Sequence, residues 1–431
     1  MLKENAFIHI SNRMHSAILF DAFNSKIYKI PYELAQKIQS NSLTNSEEKL
    51  INQRLSVLDY SKSKIKVPKV LDSLRLIITN KCNFKCSYCF AHAGSYNMPL
   101  HEMSTDLIKE ILDYFFTSYE KVTQLSFFGG EPLLALDKIE FACSYIAEHF
   151  PLKIPSYSIV TNAFFLNGAA KTILEKNKIS VIASIDGPKE INDSCRIFKD
   201  GTGTFDTVDK NIREFSNTSN IAIESTYSSI HVKNGITKNK LFDYLSKRYK
   251  TSKIIIADVV TDQNIPSKKN LENDLFMNLK FFEEFFDGNI ENYNDEIVFL
   301  IRAFVTGKNY KFFCGAGYNK FAVDMNGNVY PCHLFLDSPK NILFNIEDPQ
   351  VKKPFKLYSK DNAKCSQCTY RAFCSICTHE IERTPKMCLY QQKKINFFLH
   401  SMLELFISDH KRYRRILQNA LHYGTKSSKE R

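Results

Sequence analysis

Nowhere in these 431 residues do eighteen apolar side chains follow one another, and the N-terminus lacks the basic segment, apolar stretch and small-residue cleavage site of a secretion signal. The first absence excludes an obvious membrane-spanning helix, so no membrane partner is expected. The second makes the cytoplasm the expected compartment. Acidic residues are in deficit: 46 Asp and Glu stand against 58 Lys and Arg, for a formal net charge of +12. That balance suits an acidic partner. Its densest local run is His410-Lys411-Arg412-Tyr413-Arg414-Arg415. Apolar Ile395, Phe398, Met402, Leu405, Ile416 and Leu417 recur around this run at roughly helical spacing, so it reads first as the solvated face of a C-terminal helix. Nucleic acid is therefore not the expected partner. A hydrophobic content of 44% excludes disorder of the whole chain, and the length allows two or three domains.

Cysteine, by contrast, is plentiful. Twelve cysteines without a secretion signal argue for metal ligation over a disulfide framework, because a reducing compartment keeps thiols available. Ten of them cluster in motifs, whereas Cys143 and Cys195 stand apart and are expected to be buried small hydrophobes. Cys82, Cys86 and Cys89 follow the apolar run Leu74 to Thr79, and their spacing leaves a four-iron cluster one cysteine short. Each thiolate would hold one iron, and the fourth iron would stay open to a substrate. A zinc knuckle is the competing chemistry; it needs a fourth ligand, for which His92 and His101 are nearby. A second group of seven cysteines lies at 314, 332, 365, 368, 374, 377 and 388.

Six short β-type runs, at 74–79, 124–128, 156–161, 181–185, 221–227 and 254–260, alternate with helical patterns. One of these helices is expected to follow Ser104 as N-cap, with Leu107, Ile108, Ile111, Leu112 and Phe115 on its apolar face. Alternation of this kind predicts a parallel sheet with right-handed crossovers, here a partial (β/α)6 barrel of the TIM type in an α/β fold. Chemistry in such barrels collects at the C-terminal strand ends. The cysteine loop, Gly129-Gly130-Glu131-Pro132, Thr161-Asn162 and Asp186-Gly187-Pro188 all fall there. Residues 1 to about 60 read as two strands, Ser16 to Phe20 and Lys26 to Ile30, followed by helices, with Pro31 in a first turn and Thr44 with Glu47 as a capping box.

The cysteine triad, with Tyr88 and Phe90 around Cys89 and Gly-Gly-Glu-Pro one βα unit later, resembles the radical S-adenosylmethionine (SAM) enzymes. The stretch Ile182 to Pro188, with Asp193-Ser194-Cys195-Arg196 and Gly201 to Phe205, resembles their peptide-modifying branch. The resemblance implies that Cys82, Cys86 and Cys89 hold a [4Fe-4S] cluster. It further implies that Gly129 and Gly130 let the backbone approach the ligand and that Glu131 pairs with the SAM ammonium group. Ser184 and Arg196 would help hold its carboxylate, with Thr161 and Asn162 near its ribose.

The spacing Cys314-x12-Gly327-x4-Cys332, Cys365-x2-Cys368-x5-Cys374-x2-Cys377 and Cys388 resembles the SPASM domain, which carries two auxiliary [4Fe-4S] clusters. That likeness assigns Cys365, Cys368, Cys374 and Cys388 to one and Cys314, Cys332 and Cys377 to the other, whose fourth ligand would be His333, His379, water or a substrate thiol. The last SPASM pair is usually separated by three residues rather than two. Cys314-Gly315-Ala316-Gly317 and Val329 to His333 look most like thioether-forming maturases. Related sulfatase maturases carry an aspartate base where His333 stands, so His333 is a candidate base or hydrogen-bond donor.

The opening segment resembles leader-recognition domains that take a peptide onto a sheet edge. The expected layout is therefore 1–70 leader recognition and linker, 71–305 radical SAM barrel, 306–395 SPASM and 396–431 basic helix. The expected function is cleavage of SAM to a 5'-deoxyadenosyl radical and thioether cross-linking of a precursor peptide, supplied with electrons by a small protein such as a flavodoxin or ferredoxin. Carbon-carbon or carbon-oxygen cross-linking is the alternative within the class, and a zinc-stabilised binding module the alternative outside it.

Overall fold

The computed structural model describes residues 6–22, 24–55, 68–217, 219, 221–259, 295–306, 314–349, 365, 368–377 and 386–429. The chain divides into two compact units. One comprises residues 1–65, 266–314 and 356–431, the other 66–265 and 315–355.

In the first unit, β1 (Ala6–Ser11), β2 (Ser16–Asp21) and β3 (Lys26–Ile30) form an antiparallel sheet in the order β1-β2-β3. β2 and β3 lie where the sequence puts them. β1 is not declared by its sequence although its side chains alternate half-buried and buried, because the inward position His9 is polar. Thr44 and Glu47 make the expected capping box: Thr44 Oγ1 accepts from Glu47 N at 3.3 Å, and Thr44 N donates to Glu47 Oε2 at 2.9 Å. Pro31 sits one position earlier than a first helical residue, as the cap of helix Tyr32–Gln39.

Phe7, Ile18 and Phe20 pack into a core with helices Asp295–Thr306, Lys386–Ser408 and His410–Lys429, and the Phe20 and Phe304 rings stack at 4.8 Å. Ile395, Phe398, Met402 and Ile416 are buried there, with Leu405 and Leu417 packed against them, while Lys411, Arg414 and Arg415 face outward. Residues 395 and 396 fall inside one continuous helix, so no structural break separates them.

The second unit is built on a nine-stranded mixed sheet. Its strands are β4 (Ser73–Thr79), β5 (Gln124–Gly129), β6 (Ser156–Thr161), β7 (Ser180–Ser184), β8 (Ile221–Tyr227), β9 (Ile254–Asp258), β10 (Lys320–Val323), β11 (Asn328–Tyr330) and β12 (Phe344–Asn345). The order is β9-β8-β7-β6-β5-β4-β10-β11-β12, and β4 to β9 are parallel neighbours in sequence order. All six β-type runs are thus strands, though residue 260 of the last lies outside the described residues.

The sequence did not anticipate that β10 pairs in parallel with β4, or that the β10–β11 hairpin and β12 extend the sheet from the cysteine-rich third. Gly327 has a turn role: it takes φ +77° and its N–H closes on Asp324 O at 3.1 Å.

One face of the parallel strands is apolar and buried, through Leu74, Leu76, Leu125, Phe127, Ile159, Val181, Ala183 and Ile223. Register places Arg75, Ser126, Ser158, Ser184 and Glu224 on the other. Helix Thr105–Ser118 covers part of the unit with Ile108, Ile111, Leu112, Phe115 and Phe116 buried, and Ser104 Oγ accepts from Leu107 N at 3.1 Å. Leu107 itself is only half-buried.

Candidate functional site

The loop after β4 is tied down at both ends by main-chain bonds. Thr79 O accepts from Gly130 N at 2.9 Å, and Lys81 O from Glu131 N at 2.8 Å. Further along, Lys85 N donates to Ile197 O at 2.8 Å and Ser87 N to Cys195 O at 2.9 Å, with Phe84 bridged to Phe198. Phe84, Phe164 and Phe198 form an aromatic knot with centroids 5.1 to 6.1 Å apart. Cys82, Cys86 and Cys89 are held half-buried on this strapped loop.

The Gly-Gly pair serves that strapping. A Cβ on Gly129 would stand 2.0 Å from Thr79 O, and one on Gly130 would stand 2.3 Å from Lys81 O. Both glycines therefore admit the neighbouring chain, a role distinct from the ligand approach expected of them. Gly94, unremarked in the sequence, completes the contact: at φ +93° its missing Cβ would lie 2.7 Å from Gly130 Cα and 2.9 Å from Cys82 Cβ. Five of the six residues 92–97 have positive φ, a concentration of backbone strain beside the cysteines.

Glu131 is fully buried and joins three loops. Its carboxylate accepts from Leu133 N at 3.0 Å, Thr161 Oγ1 at 2.7 Å and Asn162 N at 2.7 Å. Burial lifts this carboxyl to about 7 against the pull of those three donors. Asn162 Nδ2 in turn donates to Asn83 Oδ1 at 2.8 Å, next to Cys82.

From the fourth loop, buried Asp186 takes the Tyr88 hydroxyl in a short hydrogen bond, accepts from Thr226 N at 2.9 Å and lies 3.1 Å from Arg196 Nε. Burial opposes charge on Arg196, but Asp186 overrides it and holds the guanidinium ionised. The 3.1 Å approach is an ion pair without an aligned hydrogen bond: Arg196 Nε and Asn83 Nδ2 are buried donors with no acceptor among the described residues. Ser184, also buried, ends β7 opposite Glu224.

This arrangement fits a SAM-type cluster better than a single ion. Among the described residues no three His, Cys, Asp or Glu groups converge on one metal position. A four-iron cube instead spreads its thiolates over separate irons. His101 turns its ring nitrogens to Pro99 O at 2.9 Å and Asn326 Oδ1 at 3.1 Å. Burial raises the Cys82 thiol to about 12 and Cys86 to about 11, so ligation there would have to displace protons. The two unsatisfied donors are suited to a ligand carboxylate.

Cys332 and His333 belong to the same unit as this loop. His333 Nδ1 lies 2.5 Å from Arg75 Nη1 and 3.2 Å from Cys332 Sγ. A guanidinium only donates, so Nδ1 accepts and the neutral ring carries its proton on Nε2. In this arrangement His333 offers a donor. The His333 ring also contacts Phe128 at 4.8 Å and Phe90 at 5.9 Å, so the residue after Cys332 rests on the residue after Cys89. Arg75, whose guanidinium sits 4.7 Å over Phe128, and Glu224 are the site residues that sequence reasoning missed. Their visible mark is a charge inside an otherwise apolar β run.

The other predicted ligands fall in the first unit. Cys365, Cys368, Cys374, Cys377 and Cys388 are half-buried there and outside any disulfide, and Cys314 is exposed. Cys368 N donates to Cys365 O at 3.2 Å, and Arg371 N donates to Cys368 O at 3.0 Å in a tight turn over 368–371 that leads to Arg371–Phe373. Gln392 Nε2 reaches Cys368 Sγ at 3.7 Å and Cys388 Sγ at 3.9 Å, which puts two of the sulfurs assigned to one cluster beside a single amide. Two soft sulfurs so placed suit separate irons of one iron-sulfur cluster. His379 lies outside the described residues. Cys143 and Cys195 are buried, 2% and 0% exposed.

Residues 76–245 match the family described as the Radical SAM superfamily. The chain is 25% identical over 336 residues to the cysteine-type anaerobic sulfatase-maturating enzyme of Clostridium novyi, spanning 70% of this chain and 87% of that one. In fold it is similar to native anSMEcpe with bound AdoMet, at TM-score 0.62 and 22% identity over 80% of this chain and 99% of the other. It is also similar to Streptococcus suis SuiB bound to precursor peptide SuiA, at TM-score 0.51 and 15% identity over 89% and 96%.

Proposed function

Since the chain carries a radical SAM domain over residues 76–245 and is thereby a radical SAM enzyme, we propose that it is a maturase that cross-links a ribosomally made precursor peptide through a thioether bond. The observation that carries the proposal is the tying of four strand-end loops around Cys82, Cys86 and Cys89 by Glu131, Asn162 and Asp186. When bound, the cluster and SAM supply a 5'-deoxyadenosyl radical able to remove hydrogen from an unactivated carbon.

The chain's own residues hold and orient. Cys82, Cys86 and Cys89 would ligate the iron, and Gly129 and Gly130 keep the loop seated. Arg196 and Asn83 would offer their unbonded donors to the SAM carboxylate, together with Ser184. Glu131 holds Thr161 and Asn162 in place and would pair with the SAM ammonium group. The parallel strands β4 to β9 would curve as a partial (β/α)6 barrel. Cys365, Cys368, Cys374 and Cys388 would hold one auxiliary cluster, and Cys314, Cys332 and Cys377 the other, as a SPASM domain.

A peptide substrate is supported by two likenesses: to a sulfatase-maturating enzyme along most of its length, and to SuiB, solved with its precursor peptide. Among the described residues no further strand pairs with the outer edges of the sheet β1-β2-β3, which leader recognition by strand addition requires. Thioether formation rests on the likeness of Cys314 to Gly317 and Val329 to His333 to thioether maturases, and on histidine replacing the sulfatase maturases' aspartate.

The test is anaerobic incubation of reconstituted enzyme with SAM, a reductant and a short cysteine-containing precursor encoded beside the gene. A product lighter by two hydrogens and with one alkylatable thiol fewer is expected. Loss of two hydrogens with every thiol still alkylatable would assign a carbon-carbon or carbon-oxygen link. An unchanged peptide despite 5'-deoxyadenosine formation would sink the proposal for that precursor class.

A further inference from the structure

Gln392 is no candidate ligand, yet its amide lies 3.7 Å from Cys368 Sγ and 3.9 Å from Cys388 Sγ. Cys388 and Gln392 are four residues apart on helix Lys386–Ser408, so the helix repeat sets them on one face. Cys368 arrives from the tight turn before Arg371. A glutamine amide carries two protons and can direct one at each sulfur. On its outer side Gln392 lines a groove of about 560 Å³ with Leu389, Lys393 and Asn396, so its side chain has room to change without overpacking the core.

We infer that Gln392 is a tuning residue for the iron-sulfur cluster at Cys365, Cys368, Cys374 and Cys388, where it raises the reduction potential by donating to two cysteine sulfurs. The inference rests on the proposed ligation by these four cysteines. The physical reason is that one-electron reduction adds negative charge to the cluster and its sulfurs while breaking no bond. Hydrogen-bond donors aimed at those sulfurs therefore stabilise the reduced state more than the oxidised one. Gln392 ligates nothing, and its amide neither gains nor loses a proton.

The experiment is an anaerobic redox titration followed by electron paramagnetic resonance on the full chain, with iron counted in each sample. Gln392→Leu removes both donors, and Gln392→Glu keeps the side-chain length but turns an acceptor toward the sulfurs. Both should retain wild-type iron. Gln392→Leu should lower the reduction equilibrium constant of one auxiliary cluster about tenfold, which is about 59 mV for a one-electron couple. Gln392→Glu should lower it further, and the signal lost in a Cys82→Ala variant should keep its potential in both. Unchanged potentials with full iron would overturn the inference, as would loss of the cluster from both variants, which would make the amide a structural support. The ligation reading is tested apart from it: Cys368→Ala and Cys388→Ala should each lose iron that wild type binds, and full iron in both would refute ligation itself.

Discussion

The two cysteine-bearing regions are built by opposite means. Cys82, Cys86 and Cys89 ride a loop clamped by main-chain bonds to Gly130, Glu131, Cys195 and Ile197, and the groups behind it are buried and interlocked. The cysteines near residue 370 are instead presented by a tight turn and one helix face, and two of their sulfurs share a single side-chain amide beside an open groove. A site that must fix a cofactor at both ends needs rigid backbone on several loops. A site that only stores or passes an electron needs ligands and a suitable local field.

The largest expected effect separates the two regions by chemistry. Cys82→Ala, Cys86→Ala or Cys89→Ala should abolish 5'-deoxyadenosine formation. Cys365→Ala or Cys388→Ala should lose peptide product more completely than SAM cleavage. Chromatographic counting of both products checks the split, and equal loss of SAM cleavage in all five variants would erase the distinction.

Next comes the clamp. Gly129→Ala drives a Cβ to 2.0 Å from Thr79 O and should cost about 3 kcal/mol or more, seen in thermal unfolding. Gly168→Ala, with nothing within 4 Å of its added carbon, should cost only about 1 kcal/mol for its left-handed backbone. Comparable losses would mean that the contact at Thr79 is not what fixes the loop.

Glu131→Ala should weaken SAM binding and, because it strands the donors of Leu133, Thr161 and Asn162, also lower stability by roughly 3 kcal/mol. Weakened binding with unaltered unfolding would confine Glu131 to the ligand.

The smallest effect belongs to the first unit. His400 faces His9 Nδ1 at 2.9 Å and the Phe7 ring at 4.7 Å, and His9 Nε2 lies 2.8 Å from Glu404. Burial, then repulsion from His9, lowers the His400 pKa from 6.5 to about 4. The unfolded chain thus binds the proton more readily than the folded one. This stabilisation is complete above about pH 6.5 and is lost as pH falls toward 4, by about 1 kcal/mol once solvent screening of the half-buried ring is allowed for. Denaturant titrations at pH 7 and 4.5 should show the loss, and His400→Phe should flatten it.

Periodic features are legible in the sequence itself: the six parallel strands, the helix capped by Ser104 and the Thr44–Glu47 box all declare themselves through local pattern. β10 to β12 do not, because strands of two to four residues are too short to show a period, and β10, which joins the other two to the sheet, finds its partner β4 nearly 250 residues earlier. At the site, residue types are readable but their relations are not. Glycines at 129 and 130 suggest service to a ligand, yet what they meet is Thr79 and Lys81. Gly94, Arg75 and Glu224 gain meaning only once the sheet sets their neighbours. Among the described residues, no helix is long and apolar enough to cross a membrane.

The most direct measurement is iron and 5'-deoxyadenosine together, on protein reconstituted and assayed without oxygen. Wild type should bind about a dozen irons, enough for three four-iron clusters, and convert SAM to 5'-deoxyadenosine under reduction. The triple Cys82, Cys86 and Cys89 to Ala variant should keep its other irons and form none. Stoichiometric zinc with negligible iron, or undiminished 5'-deoxyadenosine from the triple variant, would contradict radical chemistry at this loop.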